Sequence, residues 1–231
     1  MREISLDTET TGLSFANGDK ITEIGCVEII DKKITGKSLH LYVNPEREVS
    51  EKAQEISGLT FDFLKKFKTF KEISNEFLNF VADSRLVIHN APFDIGFLNY
   101  ELGFSGSKLI DPKNVVDTLV LAKEKYPGSP STLDALCRRF SVDASARIKH
   151  GALIDAELLA EVYLHMSVEL FQKDIFGMSQ NIDEETYVDE ISFSSVEIRN
   201  FPATEDELCR HKAFLQKLKN PIWNRLENLE N

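Results

Sequence analysis

Asp7 and Glu9, in the run Leu6-Asp7-Thr8-Glu9-Thr10-Thr11-Gly12, put two carboxylates two residues apart in a stretch that otherwise reads as a strand. Side chains at i and i+2 of a strand leave the same face, so Ile4 and Leu6 share one face while Ser5, Asp7 and Glu9 share the other. Carboxylates that close raise each other's pKa, and the remedies are a shared proton, a basic neighbour or a divalent metal. No Lys or Arg lies in the run, and ligands that are all oxygen favour a hard cation such as Mg²⁺ or Mn²⁺ over zinc. For this motif alone, the alternative is a solvated strand end entering a Thr-Gly turn.

Two further clusters carry the same chemistry. In His89-Asn90-Ala91-Pro92-Phe93-Asp94, a strand end turns into a helix with Asp94 in its first turn, where the helix dipole also favours an acid. In His150-Gly151-Ala152-Leu153-Ile154-Asp155, Asp155 opens an amphipathic helix and His150 precedes it in a loop of small residues. An imidazole with an unperturbed pKa near 6.5 suits proton transfer at neutral pH.

The elements that hold these residues can be read from periodicity and punctuation. Strands are expected over residues 3–8, 20–30 and 33–44, the last two joined by a short turn near Asp31 and therefore antiparallel. Short and longer helices are expected over 51–58 and 70–82, the second with Ile73, Phe77, Leu78 and Val81 at helical spacing. A compact strand at 85–89 leads to a helix capped by Asn90, with Pro92 in its first turn, running to a stop at Gly103. A strand at 115–119, a helix over 121–126 and a helix capped by Ser131 follow, with Asp117 assigned to capping or fold support. Residues 152–166 form a strongly periodic helix with Leu158, Leu159, Val162, Tyr163 and Met166 on one side. Antiparallel strands followed by strand and helix alternation predict an α/β fold, a mixed sheet flanked by helices.

From about Gly177 to Pro202 the pattern dissolves into polar and acidic residues, which read as a linker. Thr204-Glu205-Asp206-Glu207 then has the spacing of a capping box and predicts a terminal helix. That segment carries Leu208, Phe214, Leu215, Leu218, Ile222, Trp223 and Leu226, more apolar surface than a lone exposed helix needs.

Composition limits the options. At 231 residues and 42% hydrophobic the chain suits one core plus an appendage, and no apolar run approaches the roughly 20 residues that span a bilayer. Met1-Arg2-Glu3 leads into a strand without an apolar leader, so a cytoplasmic location is expected. Cys26, Cys137 and Cys209 are widely spaced and suggest neither a disulfide framework nor a zinc site. A net charge of −11 argues against broad non-specific nucleic-acid binding without excluding a nucleic-acid enzyme, because nine Asp and Glu crowd into residues 183–207, away from the motifs.

Taken in order, Asp-x-Glu, H-N-x-x-F-D and H-x-x-x-x-D resemble the DEDDh (DnaQ-like) family of 3′-to-5′ exonucleases over about residues 3–166. Within that family the Leu6–Gly12, His89–Phe97 and His150–Ala156 runs are most similar to the proofreading epsilon subunits of bacterial DNA polymerase III. The resemblance implies a ribonuclease H-like, five-stranded mixed sheet and an exonuclease domain at 1–170. It implies two divalent ions, Mg²⁺ or Mn²⁺, on Asp7, Glu9, Asp94 and Asp155, with His150 as general base releasing nucleoside 5′-monophosphates.

It further implies that Glu9, Thr10, Thr11, Leu13 and Phe93 approach the terminal nucleotide, with Ile56 and Ser57 in a neighbouring segment. Ser57 stands where the family more often has His, and His89 either contacts substrate or merely finishes its strand. Gln172, Ile175 and Phe176, in a 171–203 linker, resemble a sliding-clamp motif or else the frayed end of a helix. Residues 204–231 would dock on the polymerase catalytic (alpha) subunit or fold back on their own domain. The expected substrate is a single-stranded or frayed DNA 3′ end. A stand-alone ribonuclease of the RNA-trimming or oligoribonuclease type, and a non-catalytic assembly scaffold on a nuclease fold, are the alternative readings.

Overall fold

The computed structural model describes residues 1–145, 147, 149–177 and 204–217, with the side chains of 168–177 and 212 outside that description. The chain divides into two units, Met1–Ile182 and Asp183–Asn231. The first is built on strands β1 (Arg2–Thr10), β2 (Ile21–Ile30), β3 (Lys33–Tyr42), β4 (Arg85–Ile88) and β5 (Val115–Asp117), ordered β3-β2-β1-β4-β5. β1 pairs antiparallel with β2 and parallel with β4, and β4 pairs parallel with β5, so the expected five-stranded mixed sheet is present.

β2 and β3 join through Asp31 and Lys32, both at positive φ (49° and 62°), the backbone of a tight hairpin turn whose twist matches the strands it connects. Lys32 then reaches back to the buried Glu3 carboxylate at 2.9 Å, and Tyr163 donates to the same group at 2.7 Å.

The helices of this unit are α1 (Glu51–Ser57), α2 (Phe61–Leu64), α3 (Phe70–Val81), α4 (Ala91–Ser105), α5 (Thr118–Lys125), α6 (Leu133–Phe140) and α7 (Ala152–Gly177). They cover both faces of the sheet. Ile4, Leu6, Ile24, Cys26, Leu86 and Ile88 pack against Phe70, Phe77, Phe97, Leu98 and Leu102 of α3 and α4. On the opposite face, Val27, Ile29, Val87 and Val116 pack against Ala156, Ala160 and Tyr163 of α7. Ser5 is the cross-strand partner of both Val27 and Val87, so the Ser5, Asp7, Glu9 side of β1 faces α7.

Several boundaries differ from expectation. α4 passes through Gly103 and stops at Gly106, whose φ of 70° allows its N–H to close on Gly103 and Leu102 carbonyls. Asn90 sits at the N-cap position of α4 but in the left-handed region without a side-chain capping bond; instead its N–H donates to Asp117 Oδ1 at 3.2 Å. Asp117 also accepts from Leu119 and Val120 N–H groups and caps α5, as expected, which ends β5 at residue 117 rather than 119. Thr132, not Ser131, caps α6; the Ser131 hydroxyl donates to the Ser129 carbonyl.

The α7 backbone continues to Gly177, so residues 171–177, read as the start of the linker, are helical. The described part of the second unit is α8 (Glu205–Leu215), and its capping box is present: Thr204 N–H donates to Glu207 Oε2 at 2.8 Å and Glu207 N–H to Thr204 Oγ1 at 3.3 Å. Leu218, Ile222, Trp223 and Leu226 lie outside the described residues.

Candidate active site

The motif residues converge where β1 outruns its parallel neighbour. The β1–β4 ladder ends at Ser5↔Val87, and the Thr8 N–H beyond it donates to Asp94 Oδ1 at 3.0 Å, joined by the Thr8 hydroxyl at 2.7 Å. Pro92 at the second position of α4 costs no helical bond there and leaves Asp94 in the first turn, 3% exposed.

Asp155 arrives from the other side of the sheet. Gly25 is the cross-strand partner of Asp7, and a Cβ built on it would lie 2.2 Å from the Ala152 carbonyl carbon and oxygen. The missing side chain lets the first turn of α7 rest on the sheet beside Asp7, which brings Asp155, 3% exposed, into the cluster.

His150 stands at the mouth with its side chain 48% exposed, its N–H donating to the Ile56 carbonyl at 3.2 Å. Glu9, His150 and Asp155 each present a ligand atom within 4.8 Å of the others. A cleft of about 550 Å³ is lined by Asp7, Glu9, Asp94, His150 and Asp155, together with Thr8, His89, Phe93, Asp134 and Arg147.

The electrostatics call for a cation. Burial, then the Asp94, Asp155 and Glu9 carboxylates, hold Asp7 well above the ordinary carboxylate range. Burial, then Asp155, Glu23 and Asp94, push Glu9 up to about 8, and burial pushes Asp94 up to about 7 against its hydrogen bonds from Thr8. Asp155 Oδ1 is buried against the Arg147 Nε at 2.5 Å. Hard oxygen donors crowded this way fit a divalent metal of the magnesium class.

Arg147 is the residue that the sequence did not flag. Its guanidinium lies 2.5 Å from Asp155 Oδ1 through Nε and donates from Nη2 to Oδ2 at 2.8 Å, while Nη2 also meets His150 Nδ1 at 2.7 Å. A basic residue three positions before His150 was the only local sign. Gly25, Thr8 and Glu23 were likewise unmarked, because their parts depend on partners far along the chain.

The other expected contacts are unevenly placed. His89 and Phe93 line the cleft, with His89 Nδ1 3.0 Å from Thr118 Oγ1 and burial lowering its pKa. Thr10 and Thr11 are buried and turned into their own loop, Thr10 donating to the Gly12 carbonyl and Thr11 to Asp19. Leu13 and Ile56 are exposed. Ser57 lines a second hollow of about 270 Å³ that shares His150 with the cleft, but its hydroxyl donates to the Ala53 carbonyl and accepts from Leu59 N–H. The side chains of Gln172, Ile175 and Phe176 lie outside the described residues.

Comparison with known proteins agrees with this geometry. A family model described as Exonuclease (RNase_T) matches residues 4–163. "DNA polymerase III subunit epsilon" of Rickettsia prowazekii (strain Madrid E) is 44% identical over 227 residues, covering 94% of this chain and 97% of the relative. The protein of the same name from Escherichia coli (strain K12) is 40% identical, covering 93% and 92%. Among solved structures, the nuclease domain of 3'hExo, a DEDDh family member bound to rAMP, superposes with a TM-score of 0.63 at 18% identity, over 73% of this chain and 92% of that one.

Proposed function

The chain belongs to the exonuclease family whose model spans residues 4–163, and from that premise we propose that it is the 3′-to-5′ proofreading exonuclease of a bacterial DNA polymerase III. The observation that carries this reading is the extent of the likeness. At 44% identity it runs over 94% of the chain, tail included, where a stand-alone nuclease would need the catalytic domain alone.

In this reading Asp7, Glu9, Asp94 and Asp155 hold two divalent ions, Mg²⁺ or Mn²⁺. Ions held there supply Lewis-acid stabilisation of the charge that develops on the scissile phosphate. His150, partly exposed at the mouth, takes a proton on an imidazole nitrogen from the attacking water as the water oxygen bonds to phosphorus and the bond to the 3′-oxygen breaks. The product is a nucleoside 5′-monophosphate. Phe93 and His89 line the cleft where the terminal base would lie, and an aromatic ring accepts any base face, as a sequence-blind nuclease requires.

Glu9 is the group placed to accept from the terminal 3′-hydroxyl. Thr10 and Thr11, their hydroxyls engaged in their own loop, serve through the backbone rather than the side chain. The tail is the partner-binding part: Leu208 and Phe214 of α8 are about half exposed and offer an apolar surface to the polymerase catalytic (alpha) subunit. The 172–176 segment is the sliding-clamp contact.

The test is hydrolysis of 5′-labelled single-stranded oligonucleotides with Mg²⁺ or Mn²⁺. Deoxy substrate should be shortened from its 3′ end with release of 5′-mononucleotides, and faster than ribo substrate. His150→Ala should still bind Mn²⁺ in calorimetry yet turn over about 100-fold or more slowly, the usual weight of a general base. Preference for the ribo substrate would favour the RNA-trimming alternative, and metal binding without hydrolysis would favour the scaffold.

A further inference from the structure

Arg147 is drawn into the carboxylate cluster more deeply than a loop arginine need be. Its side chain is 9% exposed and engages both oxygens of Asp155, while a third nitrogen pairs with Asp134, whose side chain is 54% exposed at the cleft. A guanidinium forked onto both carboxylate oxygens leaves neither open in that direction. Because a guanidinium only donates, Nδ1 of His150, 2.7 Å away, is the acceptor and has its lone pair engaged by the same residue.

A divalent cation needs the Asp155 oxygens that Arg147 holds, beside His150. The ligand atoms of Glu9, His150 and Asp155 lie within 4.8 Å of one another, and two of those three residues are in the grip of Arg147. We propose that Arg147 and the divalent metal compete for Asp155: metal binding expels the guanidinium toward Asp134, and the same movement uncovers His150 Nδ1.

Three features support a movement rather than a fixed bridge. Asp134 is already bonded to Arg147 and reaches solvent, so the expelled guanidinium keeps a partner at the rim. Among its described residues the loop between α6 and α7 holds Ala144, Ser145 and Gly151, small side chains in the stretch that carries Arg147. Its far end is pinned by the His150 N–H on the Ile56 carbonyl, so Arg147 can shift without carrying His150 away. A small doubly charged ion also wins over a diffuse single charge at hard oxygens. The competition makes the metal centre self-gated, with the base released only as the ion arrives.

The inference rests on the reading of Asp155 as a metal ligand, and the experiment separates the two. In the full-length protein, the Arg147 Nε–H resonance, identified by its loss in Arg147→Lys, is followed by NMR during Mg²⁺ titration. Mn²⁺ affinity is measured by calorimetry for wild type, Arg147→Lys and Arg147→Gln. Expected are a shift of the Nε–H signal that saturates with Mg²⁺, and Mn²⁺ binding about tenfold tighter in Arg147→Gln, because a buried, forked ion pair no longer has to be broken. Arg147→Lys, which keeps the charge and loses the fork, should fall between. An Nε–H signal unmoved at saturating Mg²⁺, or unchanged Mn²⁺ affinity in Arg147→Gln, overturns the competition while leaving the metal site standing. No Mn²⁺ binding by any of the three overturns both.

Discussion

Asp7, Glu9 and Asp94 are costly residues to bury, and the cost shows in their protonation. Burial and neighbouring carboxylates push Glu9 from an ordinary 4.5 to about 8, and burial pushes Asp94 from 3.8 to about 7. Between those values the folded protein holds protons that the unfolded chain has released, so stability falls as pH rises. The contribution is complete below about pH 4 and lost as pH passes through about 7 and then 8. In chelator, scanning calorimetry should therefore show Tm falling between about pH 4 and 8, with a shallower fall in Glu9→Gln, which cannot release that proton. Mg²⁺ should restore Tm most at the high end, where the ligands are ionised; a Tm difference between wild type and Glu9→Gln that stays constant over the range would contradict the assignment. The residue types and their spacing were visible from the start. Their neighbours were not, since Asp94 touches Thr8 from 86 positions away and Asp155 reaches Asp7 only through folding.

At the scale of elements, the site depends on two helix starts brought to one strand end. α4 docks by hydrogen bonds from Thr8 to Asp94, whereas α7 docks by the absence of a side chain at Gly25. Gly25→Ala should therefore act through the helix. The added methyl meets Ala152 backbone rather than a flexible side chain, so α7 must lift, at about 1–3 kcal/mol for overpacking. Displacing Asp155 by even 1 Å should lower turnover about 100-fold while the sheet survives. Thermal denaturation with single-turnover hydrolysis would check both, and a variant of wild-type activity would show that the contact does not set the site. Strand order within the hairpin and most helix spans were legible, because they follow from local alternation and turn chemistry. The end of α4 and the cap of α6 were misplaced for the same local reason: Gly103 and Ser131 are plausible signals, but the bonds formed by Gly106 and Thr132 decided.

For the molecule as a whole, the proposed function assigns catalysis and assembly to different parts of the chain. Among the described residues no helix is long and apolar enough to cross a membrane. The chain divides into two units, Met1–Ile182 and Asp183–Asn231, and every residue of the candidate centre belongs to the first. Removing residues 178–231 should leave metal-dependent hydrolysis within about twofold of the full chain, since no catalytic contact is lost, and should abolish co-purification with the polymerase catalytic subunit. Retained association would move the docking surface onto the nuclease unit. By itself the sequence determined the chemistry: which carboxylates and which imidazole are present, on which face of a strand and at which helix starts, because side-chain type and local periodicity are written in order along the chain. Only the tertiary structure decided that Gly25 admits α7 beside Asp7, that Thr8 fixes Asp94, and that Arg147 lies on Asp155 and His150. These are contacts made between sheet and helix and through a loop, where distance in space is unrelated to distance in sequence.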